Sequence, residues 1–161
     1  MQDCDLIDRA REFQENLLNF FRRQGVIDGD LEDCLQETYV RLWKYRGEYR
    51  PSAKLSTFLF ILARQVLIDS YRRRTNRRRR EADWQEARPS SVSPQPCVRT
   101  DVEWAMSRLS PPLRETVELA LFQDLPYKEI SRILDIPVGT VKSRVSNAIR
   151  KLKELFDERR S

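Results

Sequence analysis

Residues 125–153, "LPYKEISRILDIPVGTVKSRVSNAIRKLK", give the most specific structural signal in this chain because they combine two helical patterns with a break between them. The first pattern predicts a helix over about residues 127–134 with one apolar face. The break falls at residues 135–137, "DIP", and a second helix is predicted to begin near Val138. The apolar face of the first helix is formed by Ile130, Ile133 and Leu134.

The second predicted helix is strongly amphipathic. Its apolar side chains stay within one sector of the helical wheel, which predicts a core face: Val141, Val145, Ala148, Ile149, Leu152, Leu155 and Phe156. The opposite face is polar and has cationic flanks, and no acid follows Asp135 until Glu154. Solvated helices usually mix acids with bases, so this pattern indicates an anionic partner. The polar side chains are Ser143, Ser146, Asn147 and Arg150, and the flanking cations are Lys142, Arg144, Lys151 and Lys153.

The spacing of the two helices is typical of a helix-turn-helix. Such a motif lays its second helix in the DNA major groove, where the first turns contact base edges. The N–H groups at the helix N-terminus suit phosphate, and Gly139 and Thr140 lie there. The alternative is an ordinary helical hairpin with a solvated basic face. Turn, length and charge asymmetry together favour DNA binding.

Composition describes a globular chain. The 161 residues, 34% charged and 40% hydrophobic, allow one or two small domains. The longest apolar runs, such as "FLFILA", are far shorter than the ~20 residues that span a bilayer, and the acidic start is unlike a signal peptide. We therefore expect a cytoplasmic protein without membrane contact of its own. Three widely spaced cysteines, Cys4, Cys34 and Cys97, are expected to be reduced thiols, with Cys34 in or near the core.

The sequence gives little support to catalysis. The chain has no histidine, which removes the commonest general base and metal ligand. Neighbouring acids such as Glu32 and Asp33, or Asp28 and Asp30, lie at a predicted helix start, where capping and the helix dipole explain them. We predict no catalytic residue, no metal and no cofactor.

Charge is distributed unevenly along the chain. Residues 72–100 carry 9 basic and 3 acidic residues, beginning with "RRRTNRRRR" and continuing into a stretch rich in Ser and Pro. Such a segment buries too little apolar surface to form a core. We predict a flexible linker over residues 77–100 between helical domains at 1–76 and 101–161. The arginine run is either a solvated tail or, as we favour, a contact to nucleic acid or polymerase.

Periodicity predicts three packed helices in the first domain. The first helix is marked by Leu6, Ala10, Phe13, Leu17 and Phe20. The second follows the turn "QGVIDGD" and is marked by Leu31, Leu35, Leu42 and Trp43. The third begins near Ser56, ends in Tyr71 and the arginines, and has a core face of Phe58, Leu59, Leu62, Ala63 and Val66. The predicted class is all-α.

Two stretches of the chain resemble a known family. Residues 109–154, with the specific run "IPVGTVKSR", resemble the C-terminal DNA-binding domain (region 4) of a bacterial sigma-70 family sigma factor, of the extracytoplasmic-function (ECF) group. "DLEDCLQETYVRLWKY" at 30–45 and "RPSAKLSTFLFILARQVLIDSYRRR" at 50–74 resemble its N-terminal conserved domain, region 2. The second match departs from the family pattern at Phe58, where tryptophan is usual, and at Gln65, where asparagine is usual.

The resemblance implies a set of contacts for each function. Contacts to the minus-35 element are implied for Thr140, Lys142, Ser143, Arg144, Ser146, Asn147 and Arg150. Contacts to the melted minus-10 strand are implied for Lys54, Ser56, Thr57, Phe58, Arg64, Asp69, Arg72 and Arg73, beside a loop from Tyr49 that could line a base pocket. Contacts to the core polymerase are implied for Asp33, Gln36, Glu37, Val40 and Arg41. The alternatives are a core role for Phe58, an ion pair of Asp69 with Arg72 or Arg73, and a solvated face around Asp33.

The family implies a promoter-specificity subunit of bacterial RNA polymerase, without enzymatic activity of its own. Its partners would be core polymerase, double- and single-stranded promoter DNA, and an anti-sigma factor. Two other classes compete with this interpretation. A transcription regulator would need a sensor domain or a dimer interface, and a nucleic-acid-processing enzyme would need a clustered acidic site.

Overall fold

The computed structural model describes residues 3–50, 52–84 and 100–161, and every regular element within them is helical. The prediction of an all-α protein is therefore confirmed. The first domain contains α1 (Asp3–Arg11), α2 (Gln14–Arg23), α3 (Asp28–Lys44), a short 3-10 turn (Arg46–Glu48) and α4 (Leu55–Trp84). The second contains α5 (Asp101–Arg108), α6 (Pro111–Val117) with a π-helical continuation (Glu118–Phe122), α7 (Tyr127–Leu134) and α8 (Val138–Arg160).

The prediction of one helix over the first apolar repeat was wrong, because the chain turns between α1 and α2. The backbone N–H of Phe13 bonds to the carbonyl of Ala10 at 3.0 Å, which closes a turn instead of continuing the helix. The turn directs the two halves into different cores. Ala10 packs with Leu42 and its neighbours, whereas Leu17 belongs to a separate, larger cluster. The first domain therefore has four helices rather than three.

Helix α4 is longer than predicted. It continues through residues 77–84, which the sequence assigned to the linker. Arginine, glutamate and alanine are good helix formers, and no proline or glycine interrupts them before Pro89. Arg74 also lies 3.9 Å from Asp30 of α3, which holds α4 beyond its apolar part. The remainder of the predicted linker, residues 85–99 with Cys97, lies outside the described residues.

The second domain begins with a capping box. The hydroxyl of Thr100 accepts from the Glu103 N–H at 3.2 Å, and the Glu103 carboxylate accepts from the Thr100 N–H at 3.3 Å. These bonds satisfy backbone donors that the first turn of a helix leaves unpaired. Helix α5 thus starts at residue 101, where the sequence placed the domain boundary.

The helix-turn-helix forms as predicted. Asp135 ends α7 in the left-handed conformation, at φ +53°, which a short polar residue tolerates better than most. Ser131 stabilises the turn with two hydrogen bonds to Ile136. Its carbonyl accepts from the N–H of Ile136 at 3.2 Å, and its hydroxyl donates to the Ile136 carbonyl at 2.5 Å. Pro137 then precedes α8. The predicted core face of α8 is confirmed: Val141, Val145, Ala148 and Leu155 are buried, and Ile149, Leu152 and Phe156 are half-buried.

The two domains pack against each other. One buried apolar cluster contains Phe20, Phe21 and Phe60 from the first domain together with Leu119 and Ile130 from the second. The side-chain amide of Asn16 in α2 also donates to the side-chain oxygen of Gln123 in the second domain at 3.0 Å. The larger core of the molecule is therefore shared between domains that the sequence presented as tethered modules.

Candidate nucleic-acid interface

The polar face of α8 is open to solvent. Thr140 and Arg144, on the flanks, are half-buried. Burial of the apolar sector against α6 and α7 turns the polar sector outward, as the wheel predicted. The exposed side chains are Lys142, Ser143, Ser146, Asn147 and Arg150. The structure thus brings all the residues implied for minus-35 contact onto one helix.

Local contacts pre-position part of this face. Arg150 donates to the side-chain oxygen of Asn147 at 3.3 Å, so the guanidinium and the amide lie side by side. The Ser143 hydroxyl donates to the Thr140 carbonyl at 3.2 Å, one turn earlier. Asparagine and arginine are the side chains that most often pair bidentately with adenine and guanine in the major groove. The face therefore carries side chains of the kinds that read base edges.

The N-terminus of α8 suits a phosphate. Its N-cap residue is Pro137, which provides no side-chain cap for the first turn, and the first turn contains no acidic residue. Uncapped N–H groups together with the helix dipole favour an anion at this end. Val138 and Gly139 are exposed there, so a DNA backbone can approach.

The residues implied for single-strand contact lie at and after the start of α4. Lys54 is exposed and Ser56 is half-buried, while the ring of Phe58 lies 5.6 Å from the ring of Tyr49. Phe58 is half-buried against the smaller apolar cluster, so it contributes to the core and still presents an edge to solvent. The Tyr49 hydroxyl donates to the Ala53 carbonyl at 3.2 Å and closes the loop, whose Pro51 lies outside the described residues.

Two residues implied for strand contact face the second domain. Thr57 is only 5% exposed, and its hydroxyl donates to the Glu129 carboxylate of α7 at 2.7 Å. Arg64 lies 3.4 Å from the Glu115 carboxylate of α6. The sequence does not predict contacts to these glutamates, because nothing in the local pattern relates them to α4.

Asp69 has a different main partner from the one considered in the sequence. Its carboxylate accepts from Arg41 of α3 at 2.6 Å, whereas Arg72 lies 4.0 Å away. Arg41 also donates to Glu37 at 3.1 Å. These carboxylates raise the pKa of the guanidinium although its partial burial opposes the shift. Asp69 thus ties α4 to α3, while Arg72 and Arg73 are exposed.

The outer face of α3 presents the residues implied for polymerase contact. Asp33, Gln36 and Val40 are exposed, and Val40 is 59% exposed. A groove of about 700 Å³ runs between α3 and α4, with Asp33 and Glu37 on one side and Arg73 and Arg77 on the other.

Trp43 extends this face and was wrongly counted among the core markers of α3. It is 47% exposed, and the guanidinium of Arg46 stacks 4.1 Å above its ring. Gln36, Val40 and Trp43 follow an i,i+4,i+7 spacing, which predicts that Trp43 lies on the same outer face of α3 as the other two residues. The outer face of α3 is therefore more apolar than the sequence analysis recognised.

Glu118 is the most deeply buried acidic residue described between the domains. Its side chain is fully buried, yet its carboxylate accepts from Arg23 of α2 at 2.8 Å and from Gln123 at 3.1 Å. Desolvation raises the pKa of Glu118 to about 7, against the opposing effects of Arg23 and Gln123. Burial likewise raises the pKa of Glu115, although Arg64 opposes this. Both groups thus hold a proton more tightly in the packed molecule.

Neither a metal site nor a membrane span is found in the part of the chain that the structure describes. No cluster of three or more Cys, Asp or Glu side chains there is arranged to hold a metal ion. No described helix combines the length and the apolar character needed to cross a bilayer. Of the cysteines, Cys4 is exposed and Cys34 is buried, as expected for Cys34, and both are free thiols.

Comparison with known families matches both domains. The family model for Sigma-70 region 2 matches residues 10–77, and that for Sigma-70, region 4 matches residues 100–152. The ECF RNA polymerase sigma factor RpoE of Cereibacter sphaeroides is 26% identical over 148 residues, which cover 89% of this chain and 82% of the relative. The ECF RNA polymerase sigma factor SigK of Mycobacterium sp. (strain JLS) is 31% identical over 138 residues, which cover 78% of this chain and 69% of the relative.

Two solved structures share the fold over most of their length. The sigma factor RpoE of Bartonella quintana, crystallised with the anti-sigma factor NepR, superposes with a TM-score of 0.76 at 24% identity, covering 93% of this chain and 97% of that one. CnrH, in complex with the cytosolic domain of CnrY, superposes with a TM-score of 0.73 at 22% identity, covering 95% and 88%.

Proposed function

The chain belongs to the ECF group of the sigma-70 family, and from this premise we propose how its residues divide the work of promoter recognition. It is a promoter-recognition subunit of RNA polymerase, not an enzyme. We assign residues 1–76 to region 2 and residues 101–161 to region 4. The helical residues 77–84 form the first part of the connection between them.

The second domain reads the minus-35 element through α8. The observation that supports this most directly is the exposed polar face of that helix above a buried apolar sector. Base edges are contacted by Ser143, Ser146 and Asn147. Bases or phosphates at the borders of the polar face are contacted by Lys142, Arg144 and Arg150. Thr140 lies at the uncapped N-terminus, beside a phosphate.

The first domain captures the melted minus-10 strand and binds core polymerase. Lys54, Ser56 and Phe58 surround the start of α4, and Arg72 and Arg73 continue along it. Thr57, Arg64 and Asp69 lie on the same helix. Cationic side chains beside an exposed aromatic ring suit an unpaired DNA strand. Such a strand is bound through its backbone charge and through stacking of its bases on aromatic rings. The outer face of α3 is the docking surface for the polymerase, with Asp33, Gln36 and Val40 exposed and Glu37 and Arg41 half-buried beside them.

Two further assignments follow from this function. The chain acts in the bacterial cytoplasm, where core polymerase and promoter DNA are found. An anti-sigma factor regulates it, an assignment supported by the NepR and CnrY partners in the similar structures named above.

The test is transcription in vitro with core polymerase on a promoter library. We expect initiation at a defined set of sites that share an upstream and a downstream element, and no initiation from core polymerase alone. Gel filtration distinguishes the competing class: comigration with core polymerase supports a sigma factor, whereas a free dimer supports a regulator. If the chain directs no specific start, the proposed function is wrong.

A further inference from the structure

Residues 72–80 of α4 contain seven arginines, which the helix divides between two sides. Arg74 lies 3.9 Å from Asp30 of α3 and belongs to the side that lines the groove between the two helices. The arginines on that side lie across the groove from acidic residues of α3, and they are Arg73, Arg74, Arg77 and Arg78. The remaining three, which we call the outer arginines, are exposed and do not line the groove: Arg72, Arg79 and Arg80.

The outer arginines follow one stripe along the helix. At about 100° per residue, Arg79 lies within about 20° of Arg72 around the helix axis, and Arg80 flanks them at about 80°. The stripe is about 12 Å long, because the helix rises about 1.5 Å per residue. A DNA duplex carries one negative charge per about 1.7 Å of its axis, so a stripe of this length can contact several phosphates.

The outer arginines have few acidic neighbours. Residues 70–80 contain no acid, although a solvated helix usually places acids four residues from its bases. Arg72 lies 4.0 Å from Asp69, whereas Arg79 and Arg80 form no ion pair with any side chain that the structure describes. The outer arginines therefore present largely uncompensated positive charge to solvent.

The composition of this part of α4 suits phosphates rather than bases. Residues 72–82 contain no aromatic side chain, and unpaired bases are held by stacking on aromatic rings. Guanidinium groups instead pair with phosphate oxygens, often through two parallel hydrogen bonds. Contacts of this kind do not depend on the base sequence. The outer arginines thus have the chemistry to bind a DNA backbone.

The distance from the strand-capturing end of α4 indicates duplex DNA. Arg80 follows Phe58 by 22 residues, which is about 33 Å of helix. About ten base pairs of duplex span that length, at about 3.4 Å per pair. The end of α4 also leads into the connection to the second domain, to which we assign the upstream element. DNA that is melted beside Phe58 is therefore paired again where it passes the outer arginines.

We propose that the outer arginines bind the backbone of the duplex that separates the two promoter elements. The inference rests on the proposed function, because it uses the positions assigned there to the melted strand and to the upstream element. Arg79 and Arg80 lie beyond residue 77, where the match to the region 2 family model ends. Since one continuous helix joins them to the strand-capturing surface, the duplex contact and the strand contact are held at a fixed distance.

The test compares two double variants in polymerase holoenzyme, Arg79→Gln/Arg80→Gln and Arg77→Gln/Arg78→Gln. Both remove two charges from adjacent positions of one helix, but only the first pair belongs to the outer arginines. Affinity is measured by fluorescence anisotropy, at several salt concentrations, on a labelled promoter that the wild-type holoenzyme uses. A second DNA has the same sequence, with uncharged methylphosphonates in place of the phosphates of the duplex just upstream of the minus-10 element.

On the unmodified promoter, Arg79→Gln/Arg80→Gln should bind about tenfold more weakly than wild type, and its salt slope should shrink by about two units. Arg77→Gln/Arg78→Gln should lose at most about twofold in affinity, because its side chains lie toward α3. On the methylphosphonate DNA, all three holoenzymes should bind within about twofold of one another, since the phosphates that distinguish them are uncharged. Glutamine is a good helix former, so circular dichroism should show that the helices are retained.

Three results would overturn the inference. Equal losses for the two double variants would show that only the total charge matters. Unchanged binding by Arg79→Gln/Arg80→Gln would show that these arginines do not contact the DNA. A loss that persists on the methylphosphonate DNA would assign them to another partner, such as the polymerase, and gel filtration would then show weaker comigration with core polymerase. The promoter assay with the wild-type chain separates these failures from failure of the proposed function, since specific initiation by wild type supports that function whatever the variants show.

Discussion

Among single residues, those on the exposed polar face of α8 and the buried acidic residues between the domains affect different properties of the protein. Side chains such as Asn147 lie on an exposed helical face, so we expect their substitution to change DNA binding and not the stability of the fold. Glu118 lies among Arg23 and Gln123 in the shared core, so its charge affects the stability of the whole chain. The two kinds of residue give separable predictions.

Asn147→Ala should relax sequence preference at the minus-35 element, with a loss of about 1–3 kcal/mol of discrimination at one base pair. Lys153→Ala, on the cationic flank of α8, should instead weaken binding evenly across sequences and reduce the salt slope by about one unit. Both effects are measured by titrating polymerase holoenzyme, assembled with each variant, against a library of upstream elements at several salt concentrations. Even losses on all sequences for Asn147→Ala would contradict the base-reading role, and Ser143→Ala gives an independent test of the same face.

Glu118→Gln should flatten the pH dependence of stability. A pKa of about 7 in the folded chain, against an ordinary value of 4.5, means that the folded state binds this proton more tightly. The free energy of unfolding should therefore fall by about 3 kcal/mol as pH rises from about 4.5 to about 7, and stay level above that. Glu118→Gln should lack this component in urea titrations between pH 4.5 and 8. The exposed Glu158→Gln serves as control, and parallel profiles for Glu118→Gln and wild type would exclude the buried acid as the cause.

At the scale of elements, tertiary contacts decided where helices begin and end. The apolar repeat of α1 and α2 is continuous in the sequence, but the chain turns at Phe13 because its two halves pack into different clusters. Helix α4 extends to Trp84 because its last turns consist of good helix formers and because an ion pair connects it to α3. Helix α5, in contrast, owes its beginning to local capping at Thr100.

Thr100→Ala should destabilise the chain by about 1 kcal/mol through loss of the capping box, which lowers Tm by about 2–4 °C for a chain of this length. The measurement is thermal unfolding followed by circular dichroism. Thr75→Ala is the matched control, because that hydroxyl only bonds to the Tyr71 carbonyl within α4, at 3.0 Å. An equal loss from both variants would show that the cap contributes nothing beyond a general Thr→Ala effect.

At the scale of the whole molecule, the shared core joins two domains into one unit. Leu119 and Ile130 are buried with Phe20 and Phe60 across the domain boundary. This shared core predicts cooperative unfolding of the two domains.

Ile130→Ala should lower the free energy of unfolding by about 2–5 kcal/mol, because it leaves a cavity in the core shared by both domains. Wild type should unfold in one calorimetric transition, and Ile130→Ala in one transition at lower temperature or in two separate ones. Val102→Ala, at a 39%-exposed position on α5, should have little effect. Two well-resolved transitions already in the wild type would show that the domains are not coupled.

The helical class, the helix-turn-helix and the outward face of α8 are predictable from the amino-acid order alone, because helical period and local turn chemistry act over a few residues. The burial of Cys34 and the resemblance of both domains to region 2 and region 4 are predictable in the same way. The pairing of Thr57 with Glu129, 72 residues away, and of Asp69 with Arg41 depends on the packing of distant helices and is not predictable from the local sequence. Periodicity shows which face of a helix is apolar, but what covers that face is a property of the packed chain.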